Sequence, residues 1–155
     1  MTGAALLLDD AAFAAPRAEQ LAKALGRALT EGGLSLVYQP QVSLADGSIV
    51  GAEALIRWTD PTLGSVSPVE FIPVAERTGL ITPLGDWVIV QACRQIAAWR
   101  SEGLSAIRIS INVSPIQFQS GDLVQRIRAA LLDCGVDPSL LGVEVTEGAL
   151  LHDTH

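Results

Sequence analysis

The chain has 155 residues, 49% of them hydrophobic, and a formal net charge of -7. Its length and apolar content suffice for one buried core, so a single domain is expected. The acidic balance excludes general binding to DNA or RNA, which needs a basic face, so a phosphate ligand would depend on local arginines or divalent cations.

The opening Met1–Asp10 has no basic n-region and is broken by Asp9 and Asp10, so it is not read as a signal peptide. No apolar run reaches membrane-spanning length, and the cytoplasm is the expected compartment. Residues 1–15 are expected to form a loose leading segment, with the domain over 16–155. From Pro16 to about Glu31, Leu21, Ala24, Leu25, Ala28 and Leu29 recur on one stripe of a predicted helix, which Gly32-Gly33 ends. Strands are predicted over Leu34–Gln39 and Gln41–Leu44. The turn Ala45-Asp46-Gly47-Ser48 then makes an antiparallel hairpin into a strand over Ile49–Trp58.

That last strand carries a carboxylate and a guanidinium in an apolar run, where burial is costly. Alternation sends Glu53, Leu55 and Arg57 to one face and Ala52, Ala54 and Ile56 to the other. Spacing alone leaves two readings, a ligand site or an internal Glu53–Arg57 ion pair. Ser67-Pro68-Val69-Glu70 reads as a capping box opening a short helix, which Pro73 should bend and Gly79 should stop. A longer helix is predicted from about Pro83 to Glu102.

Two further strands repeat the polar face. In Ile107–Val113 the aliphatic residues alternate with Arg108, Ser110 and Asn112; in Leu141–Glu147 they alternate with Gly142, Glu144 and Thr146. Between them a helix over about Leu123–Cys134 ends at Gly135. Glu53, Asn112 and Glu144 are therefore one oxygen ligand from each of three strands. Read singly, Asn112 fits a cap for the Ser114-Pro115 turn and Glu144 fits a solvated side chain. Glu147 has the opposite parity, and its role stays open. Trp58, Trp87 and Trp99 are expected in the core, and Cys93 and Cys134 as reduced thiols inside it. His152 and His155 belong to a polar tail.

Strands alternating with helices imply parallel βα units in an α/β fold. Converging polar groups at strand ends are the pattern of a (β/α) barrel, which needs about eight strands in roughly 250 residues. The chain supplies three or four such strands and reads as half a barrel.

Tyr38-Gln39-Pro40, Glu53-Ala54-Leu55-Ile56-Arg57-Trp58, Phe71-Ile72-Pro73-Val74-Ala75-Glu76, Asn112-Val113-Ser114 and Glu144-Val145-Thr146-Glu147 together resemble the EAL domain of bacterial cyclic-di-GMP phosphodiesterases. The resemblance implies a TIM-like barrel with one antiparallel strand, present here as its amino-terminal half. It implies hydrolysis of cyclic di-GMP to linear pGpG with Mg2+ or Mn2+. Glu53, Asn112 and Glu144 would be the metal ligands, with Glu53 and Glu144 the catalytic carboxylates. Gln39, Leu55, Arg57 and Pro68 would contact the nucleotide, and Glu76 would support the site from behind. Asp60, before Pro61, departs from the family's usual histidine, with little consequence expected.

The family's Asp-Asp-Phe-Gly segment, its catalytic lysine and its further glutamate and glutamine ligands do not occur here, so these 155 residues alone are expected to be inactive. Two other readings stand beside the enzyme: a non-catalytic cyclic-di-GMP binding or regulatory module, and a structural fragment that pairs with another chain. An open half-barrel leaves a strand edge free, and pairing of two copies into a homodimer would cover it.

Overall fold

The computed structural model describes residues 5–104 and 107–145, with side chains described from residue 15 onward; Thr146, Glu147, His152 and His155 lie outside them. The first helix, α1, spans Ala5–Glu31 and runs through Pro16, so it begins well before the start that the Pro16 signal predicts. Leu21, Ala24, Leu25 and Ala28 are buried, as their spacing requires. At its end Gly33 has φ +108°, and a Cβ there would lie 2.7 Å from the carbonyl oxygen of Thr59. Only glycine lets the chain turn this close to the next strands, and the Gly33 carbonyl in turn accepts from the Thr59 N–H at 2.9 Å.

Strand β1 (Leu34–Val42) is continuous through Pro40, where two strands are predicted. Among the described residues β1 pairs on one side only, with β2 (Ile49–Asp60), and a missing N–H is tolerated on such an edge. The pairing is antiparallel, and the Asp46-Gly47 turn closes it: the Ser43 N–H donates to the Ser48 carbonyl and the Asp46 carboxylate accepts from the Ser48 N–H. A short strand β3 (Gly64–Val66), absent from the sequence expectation, folds back on the end of β2. Asp60 organises that turn. It is buried, its carboxylate accepts from the Thr62 and Leu63 N–H groups at 2.8 and 2.9 Å, and those bonds, Leu63's first, hold its pKa below the usual carboxylate value. Asp60 is thus a local turn device.

Helix α2 (Pro68–Thr78) starts with proline in its first turn and stops at Gly79 in the left-handed region, as expected. The predicted capping box does not form, because the Glu70 carboxylate is engaged by Arg17 of α1 at 2.8 Å. Helix α3 (Ile81–Ser101) leads into β4 (Arg108–Val113). The short helix α4 (Pro115–Gln119) follows; here a true capping box closes, with Ser114 Oγ accepting from the Gln117 N–H and Gln117 Oε1 from the Ser114 N–H. Helix α5 (Leu123–Cys134) ends at left-handed Gly135, and β5 (Leu141–Val145) completes the described chain.

The sheet order is β1-β2-β4-β5, with β4 parallel to both β2 and β5. This antiparallel edge on a parallel βα sheet is the partial barrel expected from the sequence. Its outer face buries Ala54, Ile109, Ile111 and Val113 against Ile89, Cys93 and Ile96 of α3 and Leu131 of α5. A second cluster packs Trp58 edge-on to Phe71 at 5.4 Å, with Leu21, Leu25 and Leu84 around them. Trp99 packs against the first cluster and edge-on to Tyr38, whereas Trp87 is only half-buried and belongs to neither cluster. Arg126 ties α3 to α5 by bonding Asp86 and Asp122 at 2.9 and 3.0 Å.

Cys93 is fully buried, and burial first, then the neighbouring Cys134, pushes its thiol up to about 11. Thiolate is the reactive form, so at pH 8 Cys93 should label with a disulfide reagent about a hundredfold more slowly in the native than in the unfolded chain. Equal rates would show that α3 and α5 do not enclose it.

Candidate functional site

The inner face of the sheet is polar because the odd residues of β2 and the even residues of β4 and β5 share it. Gln39 lies opposite Glu53 in the β1–β2 register, Glu53 beside Ser110 in β2–β4, and Asn112 beside Glu144 in β4–β5. The Asn112 amide Nδ2 donates to Glu53 Oε1 at 2.7 Å, joining the two strands across the face. That bond leaves Glu53 Oε2, Asn112 Oδ1 and the exposed Glu144 carboxylate as oxygen donors on one surface. Hard divalent cations choose such oxygens. Among the described residues no cluster of three or more His, Cys, Asp or Glu assembles, so any three-oxygen set here needs the amide of Asn112.

Pairing of β2 with β4 runs from Gly51↔Arg108 only as far as Ala54↔Ile111. Beyond it β2 turns toward β3, while β4 continues beside β5, and the strands part at their carboxyl-terminal ends. A cavity of about 280 Å³ opens in the gap. It brings together Leu55, Arg57, Pro68, Glu76 and Asn112, with Ile72, Leu84 and Val88 as an apolar back wall. Gln39, Glu53 and Glu144 stand beside it on the sheet.

Arg57 does not pair with Glu53. Among the described residues its recorded bond is from Nη1 to the carbonyl of Ile56 at 2.8 Å, and the side chain is exposed at the cavity wall. The internal ion-pair reading therefore fails: the guanidinium remains available to an anion, where a planar fork donates two bonds to a phosphate. Asn112 does not cap the following turn either, since Ser114 and Gln117 do so themselves.

Two cavity residues escaped the sequence reading. Gln117 is 3% exposed, and its amide lies so close over Gly85 of α3 that no Cβ fits there. Ser114 lines the same wall. The Ser-Pro-x-Gln spacing after β4 carries this signal, but only the packing on Gly85 shows that Gln117 faces inward.

A family model described as the EAL domain matches residues 22–155. The chain is 44% identical over 135 residues to the oxygen sensor protein DosP of Escherichia coli, covering 86% of this chain and 17% of that protein. It is 41% identical over 138 residues to the cyclic di-GMP phosphodiesterase PA2567 of Pseudomonas aeruginosa, covering 88% and 23%. The fold superposes on the PaMucR phosphodiesterase in its c-di-GMP complex with a TM-score of 0.82 at 42% identity, covering 86% of this chain and 54% of that one. The chain thus spans about a fifth of the length of these curated relatives and about half of the solved domain. With the strand order, the Glu53–Asn112 bridge and a family match over most of its length, the chain belongs to the EAL domain family.

Proposed function

We propose that this chain is the amino-terminal half of a cyclic-di-GMP phosphodiesterase barrel. The observation that carries this reading is the 2.7 Å bond drawing Glu53 and Asn112 together, in register with Glu144, beside a cavity walled by Arg57. A magnesium or manganese ion, when bound, would supply charge neutralisation at the phosphodiester and a lowered pKa for water. Glu53, Asn112 and Glu144 are the residues to hold it, and their all-oxygen set fits both cations. Gln39, Leu55, Arg57 and Pro68 are the nucleotide contacts: Arg57 donates to a phosphate oxygen, and Leu55 and Pro68 give apolar surface to the base or ribose. Glu76, on the cavity wall, supports that surface from α2.

Hydrolysis forms a bond from water oxygen to phosphorus and breaks the bond from phosphorus to one 3′ oxygen, which takes up a proton, giving pGpG. The described residues bind and orient the substrate for this step from one side of the barrel. The active protein is read as a cytoplasmic signalling enzyme; among the described residues no helix is long and apolar enough to cross a membrane.

The test is a hybrid barrel in which the strands after Val145 come from MucR, assayed for Mn2+- or Mg2+-dependent release of pGpG. No pGpG from a folded hybrid would overturn the reading. In the same hybrid Arg57→Ala should raise KM for cyclic di-GMP about tenfold or more, the loss of a charge-assisted bond of about 1.5–3 kcal/mol, with a smaller change in kcat. An unchanged KM would remove Arg57 from the contact set.

A further inference from the structure

Gly85 lies inside α3, where alanine would favour the helix. Its neighbour across the helix interface gives the reason: an added Cβ would overlap Nε2 and crowd Cδ of Gln117, so the side-chain amide from α4 fills the notch that the glycine leaves. The amide oxygen is engaged as well. Gln117 Oε1 accepts from the Ser114 N–H at 3.1 Å, and the Gln117 N–H donates to Ser114 Oγ at 3.5 Å. Asp86, next to Gly85, is bonded by Arg126 of α5 at 2.9 Å, so the turn of α3 that receives the amide is itself anchored. This clamp falls where the sheet lets go. Pairing of β2 with β4 ends at Ala54↔Ile111, one residue short of Asn112, while pairing with β5 continues through Val113. Beyond Ile111 the β2 side of β4 has no strand partner, yet the Asn112 amide must still reach Glu53 across that side at 2.7 Å. Two residues on, Ser114 is tied to Gln117, and through it to α3.

We propose that Gln117, seated in the Gly85 notch, is a positioning residue for Asn112: it fixes the carboxyl-terminal end of β4 against α3, so that the Asn112 amide meets Glu53 and its oxygen faces a divalent cation. The metal-binding part of this inference rests on the reading above. Groups that orient a metal-binding side chain typically change affinity by 10- to 100-fold when removed.

The experiment follows the Asn112 side-chain amide signals of the 15N-labelled chain, first without metal and then through a Mn2+ titration, alongside thermal melts. Three variants are compared with the parent. Gln117→Met keeps the length of the side chain but offers no amide oxygen to Ser114; Gly85→Ala closes the notch; Gly85→Ala with Gln117→Ala gives the space back without the clamp. Gly85→Ala should melt below the parent and the double variant above Gly85→Ala. In Gln117→Met and in the double variant, the Asn112 proton bonded to Glu53 should lose its downfield shift, and the Mn2+ concentration that half-broadens it should rise about tenfold. A side chain that merely packs gives a different pattern: the double variant regains stability, and both variants keep the parent's Asn112 shift and Mn2+ response. That result overturns the assignment of Gln117 while leaving Glu53, Asn112 and Glu144 as ligands. Gly85→Ala melting at or above the parent overturns it too, since the amide would not occupy the notch. Should the double variant fail to fold, Gln117→Met decides alone, and parent-like Asn112 signals in it overturn the proposal. If the parent chain shows no Mn2+ broadening at Asn112 at millimolar concentration, the metal reading falls, and the metal-free shift in Gln117→Met still decides whether Gln117 holds Asn112 on Glu53.

Discussion

Glu53→Gln in the hybrid barrel should lower kcat for cyclic di-GMP by a hundredfold or more while the protein keeps its fold. The substitution preserves size and the acceptor for the Asn112 Nδ2 donor, 2.7 Å away, but removes the charge a divalent cation requires. A hundredfold loss corresponds to about 2.7 kcal/mol of transition-state stabilisation. Glu53 is half-buried and has no ion-pair partner among the described residues, so its neutralisation leaves no charge unpaired and the melting point should stay within a few degrees of the parent. Turnover at the parental rate with a clearly lower melting point would make Glu53 structural. Added Mn2+ offers a second reading of the same variant, since a weakened ligand set regains part of its activity at higher metal concentration.

The largest effect on stability should come from Trp58→Ala, at about 3–5 kcal/mol by urea denaturation. Trp58 is 1% exposed, meets Phe71 edge-on, and sits where β1, β2 and β3 converge, in register with Leu34 and Val66. A loss of that size is a large share of the 5–15 kcal/mol typical of a domain, so the variant should be partly unfolded at 37 °C. Its indole N–H has no partner, however. Trp58→Phe should therefore cost much less than the alanine change, because it retains most of the ring and deletes an unsatisfied donor. If both variants cost the same, the ring is not what holds α2 against the sheet.

The shared polar face was legible because a strand's period of two sorts side chains without regard to the rest of the molecule. Glu53, Asn112 and Glu144 fell on one face by parity alone, and the pairing put them there. Whether Glu53 and Arg57 formed an ion pair was not legible: both lie on that face, but the parting of β2 from β4 carries Arg57 to the cavity wall. Local signals that compete with a tertiary partner also misled. Ser67 to Glu70 has the spacing of a capping box, yet Arg17, 53 positions earlier, takes the glutamate, while the box that forms uses Gln117. Pro40 divided a strand on paper because edge position, which makes proline tolerable, follows from sheet order. Trp87 looked like core by composition, whereas its position on α3 decides otherwise. Ser110 was assigned to the polar face correctly, but that it is buried there, between Glu53 of β2 and Gly142 of β5, follows from the strand order and not from parity.

Ribosomes deliver a chain at about 5–20 residues per second, so in a barrel of about 250 residues the first half waits on the order of ten seconds for the second. During that interval its inner surface faces the cell's water. Had that surface been lined with valine and isoleucine, as many barrel interiors are, the nascent half would present an adhesive sheet to its neighbours on the polysome. Here it presents Gln39, Gln41, Glu53, Arg57, Asn112 and Glu144, all of which water solvates well. Such a polar lining also keeps an unfinished sheet from sticking to its neighbours, and replacing those side chains with aliphatic ones should lower the yield of folded protein.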